Sequence, residues 1–131
     1  MNIFKNYIKD QTDIAQLILL ASDYLVETGF SQRDCEVMKT VISELAYNIV
    51  KYAGKGVLTI QRISKGQNKG VEIKASDNGP GIEDVDEAMT DHKSSGDTLG
   101  LGLPSVKRMM DEFEISSNPE DGTTILTRKW L

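Results

Sequence analysis

Apolar residues recur at helical spacing between Thr12 and Thr28, through Ile14, Leu17, Ile18, Ala21 and Leu25, and predict an amphipathic helix that Gly29 ends. "SQRD" at 31–34 reads as an N-cap, with Asp34 placed to favour the helix dipole. A longer helix is expected from there to about Ala53, stopped by Gly54 and Gly56. Before these helices, residues 3–9 carry a weak strand signal. "VLTIQRI" (57–63) reads as a strand, "SKGQNKG" as a turn, and "VEIKAS" (71–76) alternates strictly. Val71, Ile73 and Ala75 share one face, and Asp77 continues their parity. Residues 77–103 are loop-rich, with a short helical piece expected near 84–90. Pro104 sits where a helix begins, followed by the stripe Val106, Met109, Met110 and Phe113. "FEISS" and "TTILTRKWL" flank the turn "NPEDG", giving a closing hairpin. The order β-α-α-β-β-loop-α-β-β lacks βαβ alternation. It predicts an α+β fold, a two-layer sandwich whose mixed, mainly antiparallel sheet carries helices on one face.

The long helix poses a chemical question in "VISELAYNIVKYAGKG" (41–56). At about 100° per residue, Val37, Met38, Val41, Ile42, Leu45, Ile49 and Ala53 form one arc. Glu44 and Asn48, four residues apart, lie at its edge beside Val37 and Val41, with Lys51 further toward the polar side. A carboxylate and an amide there are either boundary residues or the wall of a pocket. Asp77 poses a second question. It precedes "NGPG", so it either closes an Asx-turn or meets a ligand where the chain turns sharply. A carboxylate pointing under the helices must find donors or stay costly. The third stretch is "TLGLGLPSVKRMM" (98–110), where two glycines precede a helix start. Such a junction offers free backbone N–H groups to an anion, or is a plain loop ending at a proline-capped helix. The polar segment 86–99 before it suits a lid.

Composition narrows the choices. The chain has 131 residues, a size that predicts one domain over 1–131. A net charge of −5 argues against general nucleic-acid binding but not against one bound nucleotide. One cysteine (Cys35) and one histidine (His92) allow neither an intramolecular disulfide nor the usual zinc site. "MNIFKNYIKD" lacks a signal-peptide pattern and "LILLA" is too short to cross a bilayer, so no membrane association and a cytoplasmic location are expected. P-loop and eukaryotic-type kinase signatures are missing from the sequence.

"SELAYN", "DNGPG", "GLGLP" and "GTT", in this order and over nearly the whole chain, resemble the GHKL (Bergerat-fold) ATP-binding family of gyrase, histidine kinases and anti-sigma-factor kinases. "ISELAYNIVKYAGKG", "SSGDTLGLGLPSVKRMMDEF" and "RKWL" are similar to the small serine/threonine switch kinases of the bacterial stressosome. The resemblance implies ATP and Mg²⁺ as cofactors. Asn48 resembles the asparagine that holds Mg²⁺ against the phosphates. Glu44 resembles the catalytic carboxylate that orients or deprotonates the attacking hydroxyl. Lys51 matches a basic position that reaches a phosphate. Asp77 resembles the aspartate that accepts from the adenine amino group, with Gly79 and Gly81 making room for the base. Gly100, Leu101 and Gly102 match the second glycine box at the phosphates. Thr124 resembles the threonine supporting the adenine site, with Thr123 as the alternative. Lys93 is a phosphate candidate by its place in the lid; no arginine matches the one some relatives place near the γ-phosphate.

The implied function is a serine/threonine protein kinase that acts as a partner-switching regulator. It would phosphorylate STAS-domain stressosome proteins and then activate a downstream phosphatase or other output enzyme. Two alternatives stand beside it: an anti-sigma factor with kinase activity, and a nucleotide-dependent binding switch without catalysis.

Overall fold

Strict alternation makes "VEIKAS" part of a longer strand, because each second side chain finds the same apolar layer. The structure, a computed structural model, describes residues 3–82, 89 and 102–131. Among these, five strands form one sheet: β1 (Ile3–Ile8), β2 (Gly56–Lys65), β3 (Asn68–Ser76), β4 (Glu112–Asn118) and β5 (Gly122–Trp130). Their order is β1-β2-β3-β5-β4. All four described pairings are antiparallel, where a mixed, mainly antiparallel sheet was expected. Three described helices complete the fold: α1 (Gln11–Val26), α2 (Gln32–Tyr52) and α3 (Gly102–Met109). The expected helical piece near 84–90 lies outside the described residues, apart from Met89, which packs against the core.

The core sits between the helices and one sheet face. α1 buries Ile14, Leu17, Ala21 and Leu25 of the stripe its spacing predicts, while Ile18 is only half-buried. α2 buries Met38, Val41, Ile42, Leu45 and Ile49 over Leu58, Ile60, Val71, Ile73 and Ile125 of the sheet. Each such side chain contributes roughly 1.5–3 kcal/mol when fully buried. Burial, with Asp34 adding to it, raises the pKa of the Cys35 thiol above its ordinary value. No helix among the described residues is long and apolar enough to cross a membrane.

The opposite sheet face carries a charged row across three strands. Register places Glu72, Arg128 and Glu112 side by side. Arg128 Nε donates to Glu72 Oε2 and Nη1 to Glu112 Oε1, both at 3.0 Å. The Trp130 indole N–H also donates to Glu112. These donors, the indole first and then Arg128, hold the Glu112 carboxyl below its ordinary value. A depressed folded pKa means that the stabilisation is complete above the ordinary value and is lost as pH falls through the folded one. We therefore expect Glu112→Gln to lower the urea midpoint slightly at neutral pH and to match the wild type in acid. Midpoints measured on both sides of the glutamate range check this, and a pH-independent difference would assign the effect to packing.

Candidate nucleotide site

The helical wall begins with a well-made cap. Ser31 Oγ accepts from the Asp34 N–H at 3.1 Å, and α2 then runs 21 residues without glycine or proline. Gly54, at φ +84°, ends it and donates to Ile49 O at 3.0 Å. This length carries Asn48 and Tyr52 out to the end of the sheet where β3 stops.

There Asp77 is buried on the helix side, as the alternation of β3 requires. Its Oδ1 accepts from the Gly79 N–H at 3.0 Å and the Thr123 N–H at 3.2 Å. Its own N–H donates to Thr123 O at 2.9 Å. The two readings of Asp77 from sequence are thus compatible: one oxygen closes the Asx-turn while the carboxylate faces inward. Ser117 braces the same turn. Its Oγ accepts from the Ile82 N–H at 2.6 Å and lies 2.8 Å from Thr123 Oγ1.

Two glycines let these segments approach. A Cβ on Gly79 would sit 2.5 Å from the Ala53 Cβ, so this turn packs onto the end of α2 only without a side chain. A Cβ on Gly122 would meet Asp77 O at 2.1 Å, and its φ of +82° also disfavours any L side chain. Gly81 lies in the same turn, against Asn118 O of the β4–β5 hairpin.

The result is a small cleft. Leu45, Asn48, Ile49 and Tyr52 of α2 form one wall, and Asp77, Ile82 and Thr123 face them. Asn48 is half-buried, whereas Glu44, one turn earlier, is 2% exposed. That is deeper than the rim position its helical angle predicts. Glu44 is absent from the cleft lining. Lys51 is exposed, its Nζ 5.3 Å from the Tyr52 ring centroid, and does not line the cleft either.

A larger cavity, about 630 Å³, reaches Asp77 and Gly79 from the edge formed by β1 and the start of β2, past Tyr7, Lys9 and Lys55. It includes neither Asn48 nor Glu44. The smaller cleft has a volume of only about 10 Å³, but it unites Asn48 with Asp77, and those residues rather than its size make it the candidate site.

Thr124 is not in the cleft. It points to the opposite sheet face, with its Oγ1 3.2 Å from Ser76 Oγ. Alternation places its neighbour Thr123 beside Asp77 instead, at 4% exposure. Gly102 opens α3 at φ +70°, two residues before Pro104, which falls in the first turn where a missing N–H costs nothing. Lys93, Gly100 and Leu101 lie outside the described residues. Sequence reasoning missed Ser117 and Gly122 as parts of the site. "GTT" held the signal for the glycine; nothing local marked the serine.

The described residues hold no group of three or more His, Cys, Asp and Glu side chains arranged for a metal ion. Mg²⁺ does not need one, since it takes one or two protein oxygens and fills its octahedron with phosphate and water. A single amide oxygen from Asn48, in a cleft that also holds the Asp77 carboxylate, fits that demand.

The helix-lined cleft, over an antiparallel sheet and closed by glycine turns, lies in a chain whose class is a kinase-like ATPase domain. The chain belongs to the histidine kinase-like ATPase domain family, which matches residues 9–129. It is 44% identical over 124 residues to the serine/threonine-protein kinase RsbT of Bacillus subtilis, covering 95% of this chain and 93% of that protein. It is 33% identical over 100 residues to the anti-sigma F factor of Thermoanaerobacter pseudethanolicus, covering 72% of this chain and 68% of that protein. Among solved structures, the SiaB–SiaC complex from Pseudomonas aeruginosa contains a chain of the same fold, with a TM-score of 0.58 at 15% identity. That match covers 98% of this chain and 89% of the other, and at this identity it speaks for the fold alone.

Proposed function

We propose that residues 1–131 form one Mg-ATP-dependent serine/threonine protein kinase domain that works as a partner-switching regulator. The observation that carries this reading is the convergence of Asn48, Asp77 and Thr123 in one cleft, with Glu44 buried a turn before Asn48. The similarity to RsbT over nearly the full length supports the kinase class.

Phosphoryl transfer asks mainly for positioning and charge stabilisation. Asp77 accepts from the adenine amino group through Oδ2, since its other oxygen serves the turn and Thr123. The backbone at Gly102, where α3 begins, receives the phosphates, together with Gly100, Leu101 and Lys93. Asn48 holds Mg²⁺, which when bound neutralises charge developing on the phosphates. Glu44 orients the partner's serine or threonine hydroxyl and takes its proton. Lys51 reaches a phosphate from the rim of the helix. The protein substrate is a STAS-domain stressosome protein. Once that substrate is phosphorylated, the kinase turns to a downstream phosphatase or other output enzyme in the cytoplasm.

Asn48→Ala tests the site directly. Loss of the amide oxygen should weaken Mg-dependent ATP binding by about tenfold or more, which is about 1.4 kcal/mol. Calorimetry with and without Mg²⁺ reads this out, and an unchanged affinity would remove Asn48 from the metal. A second reading, an anti-sigma factor with kinase activity, draws on the similarity to anti-sigma F factors. Capture of a sigma factor by the purified protein would favour it.

A further inference from the structure

The first turn of α2 and the last turn of α3 meet beside the end of β5, and a groove of about 490 Å³ lies between them. Arg33, Arg108 and Lys129 line it, with Asp34 the one carboxylate among the described lining residues. Val37 and Met109 supply an apolar floor. In a chain of net charge −5, three cations in one concavity are a local reversal of the overall charge. Two of them are held in place. Lys129 Nζ donates to Met109 O at 3.2 Å, and Arg108 Nη2 to Ser105 Oγ at 2.9 Å. The N-terminus of α2 adds a partial positive charge to the same side.

The groove stands apart from the nucleotide cleft. Arg33 precedes Glu44 by eleven positions, roughly 16 Å along a helix that rises about 1.5 Å per residue.

We propose that this groove docks an acidic segment of a partner protein. Carboxylates of the segment pair with Arg33, Arg108 and Lys129, and an apolar side chain between them rests on Val37 and Met109. The apolar floor and the spread of cations over three elements fit an extended chain better than a compact inorganic anion. Charge complementarity of this kind selects the partner and speeds its approach, and it weakens with salt.

The test uses the intact protein and a fluorescein-labelled decapeptide of alternating glutamate and leucine, followed by anisotropy at low and raised salt. Saturable, salt-sensitive binding is expected. The double variant Arg33→Glu, Arg108→Glu should weaken it by at least about tenfold, equivalent to about 1.4 kcal/mol. Asp34→Asn should strengthen it. Arg33 and Arg108 are both exposed, so the double variant keeps the fold, which circular dichroism verifies, and a milder Arg33→Gln, Arg108→Gln pair should show a smaller loss. ATP affinity should stay unchanged in every variant, so the outcome is independent of the kinase reading. No saturable binding, binding indifferent to charge reversal, or displacement of the peptide by inorganic phosphate at equal concentration would each overturn the proposal.

Discussion

Glu44→Gln is expected to keep ATP and lose phosphotransfer by roughly 100-fold or more, the usual scale for a positioned general base. The substitution preserves shape and hydrogen-bonding reach in a site only 2% exposed, so the fold should persist. It removes the one property that proton abstraction needs, the carboxylate's basicity. Nucleotide affinity should change little, because Asn48 and Asp77, not Glu44, line the cleft. Single-turnover transfer to a STAS-domain partner at saturating Mg-ATP separates the two effects. Near-normal transfer would make Glu44 a buried structural residue of α2. A parallel loss of ATP binding would place it in the nucleotide site instead of the chemical step.

The second large effect concerns the base. Wild type should prefer ATP to GTP, since guanine presents a carbonyl where adenine presents an amine, and two acceptors would then face each other at Asp77. In Asp77→Asn the amide oxygen can still accept from the Gly79 and Thr123 N–H groups, so the turn should survive. Its NH₂ would then confront the adenine amine, donor against donor. An unmade buried hydrogen bond costs about 1–3 kcal/mol, so ATP affinity should fall roughly 5- to 150-fold. The ratio of ATP to GTP affinity should fall with it. Competition binding of both nucleotides to both proteins measures this. An unchanged ratio would take Asp77 out of base recognition and leave it as the lock of its turn.

Partner switching also bears on the groove between α2 and α3. The hydroxyl acceptor must reach the nucleotide cleft, while an acidic segment in the groove would be held at the other end of α2. One partner can then be gripped at two places, and weakening the groove would reduce docking without touching the chemistry.

Local pattern alone was enough for much of this fold. The spacing of Ile14, Leu17, Ala21 and Leu25 told α1's buried face, and the strict alternation before Asp77 told that its carboxylate points under the helices. Both follow from backbone periods that hold wherever the element forms. Helix ends were similarly legible, because Ser31 and Gly54 act on backbone groups next to them in the chain. The depth of Glu44 was not: helical angle sets direction, whereas burial depends on what the tertiary structure packs on that side. Nor was the choice between Thr123 and Thr124, since Ile125 and Leu126 are both apolar and leave the phase of β5 ambiguous. Pairing across 46 positions, from Asp77 to Thr123, sets Thr123 on the Asp77 side. Ser117 and Gly122 matter for the same reason. Each earns its place through contact with a turn far away in sequence, so only the packed sheet, which brings β3, β4 and β5 to one end, could bring them into the site.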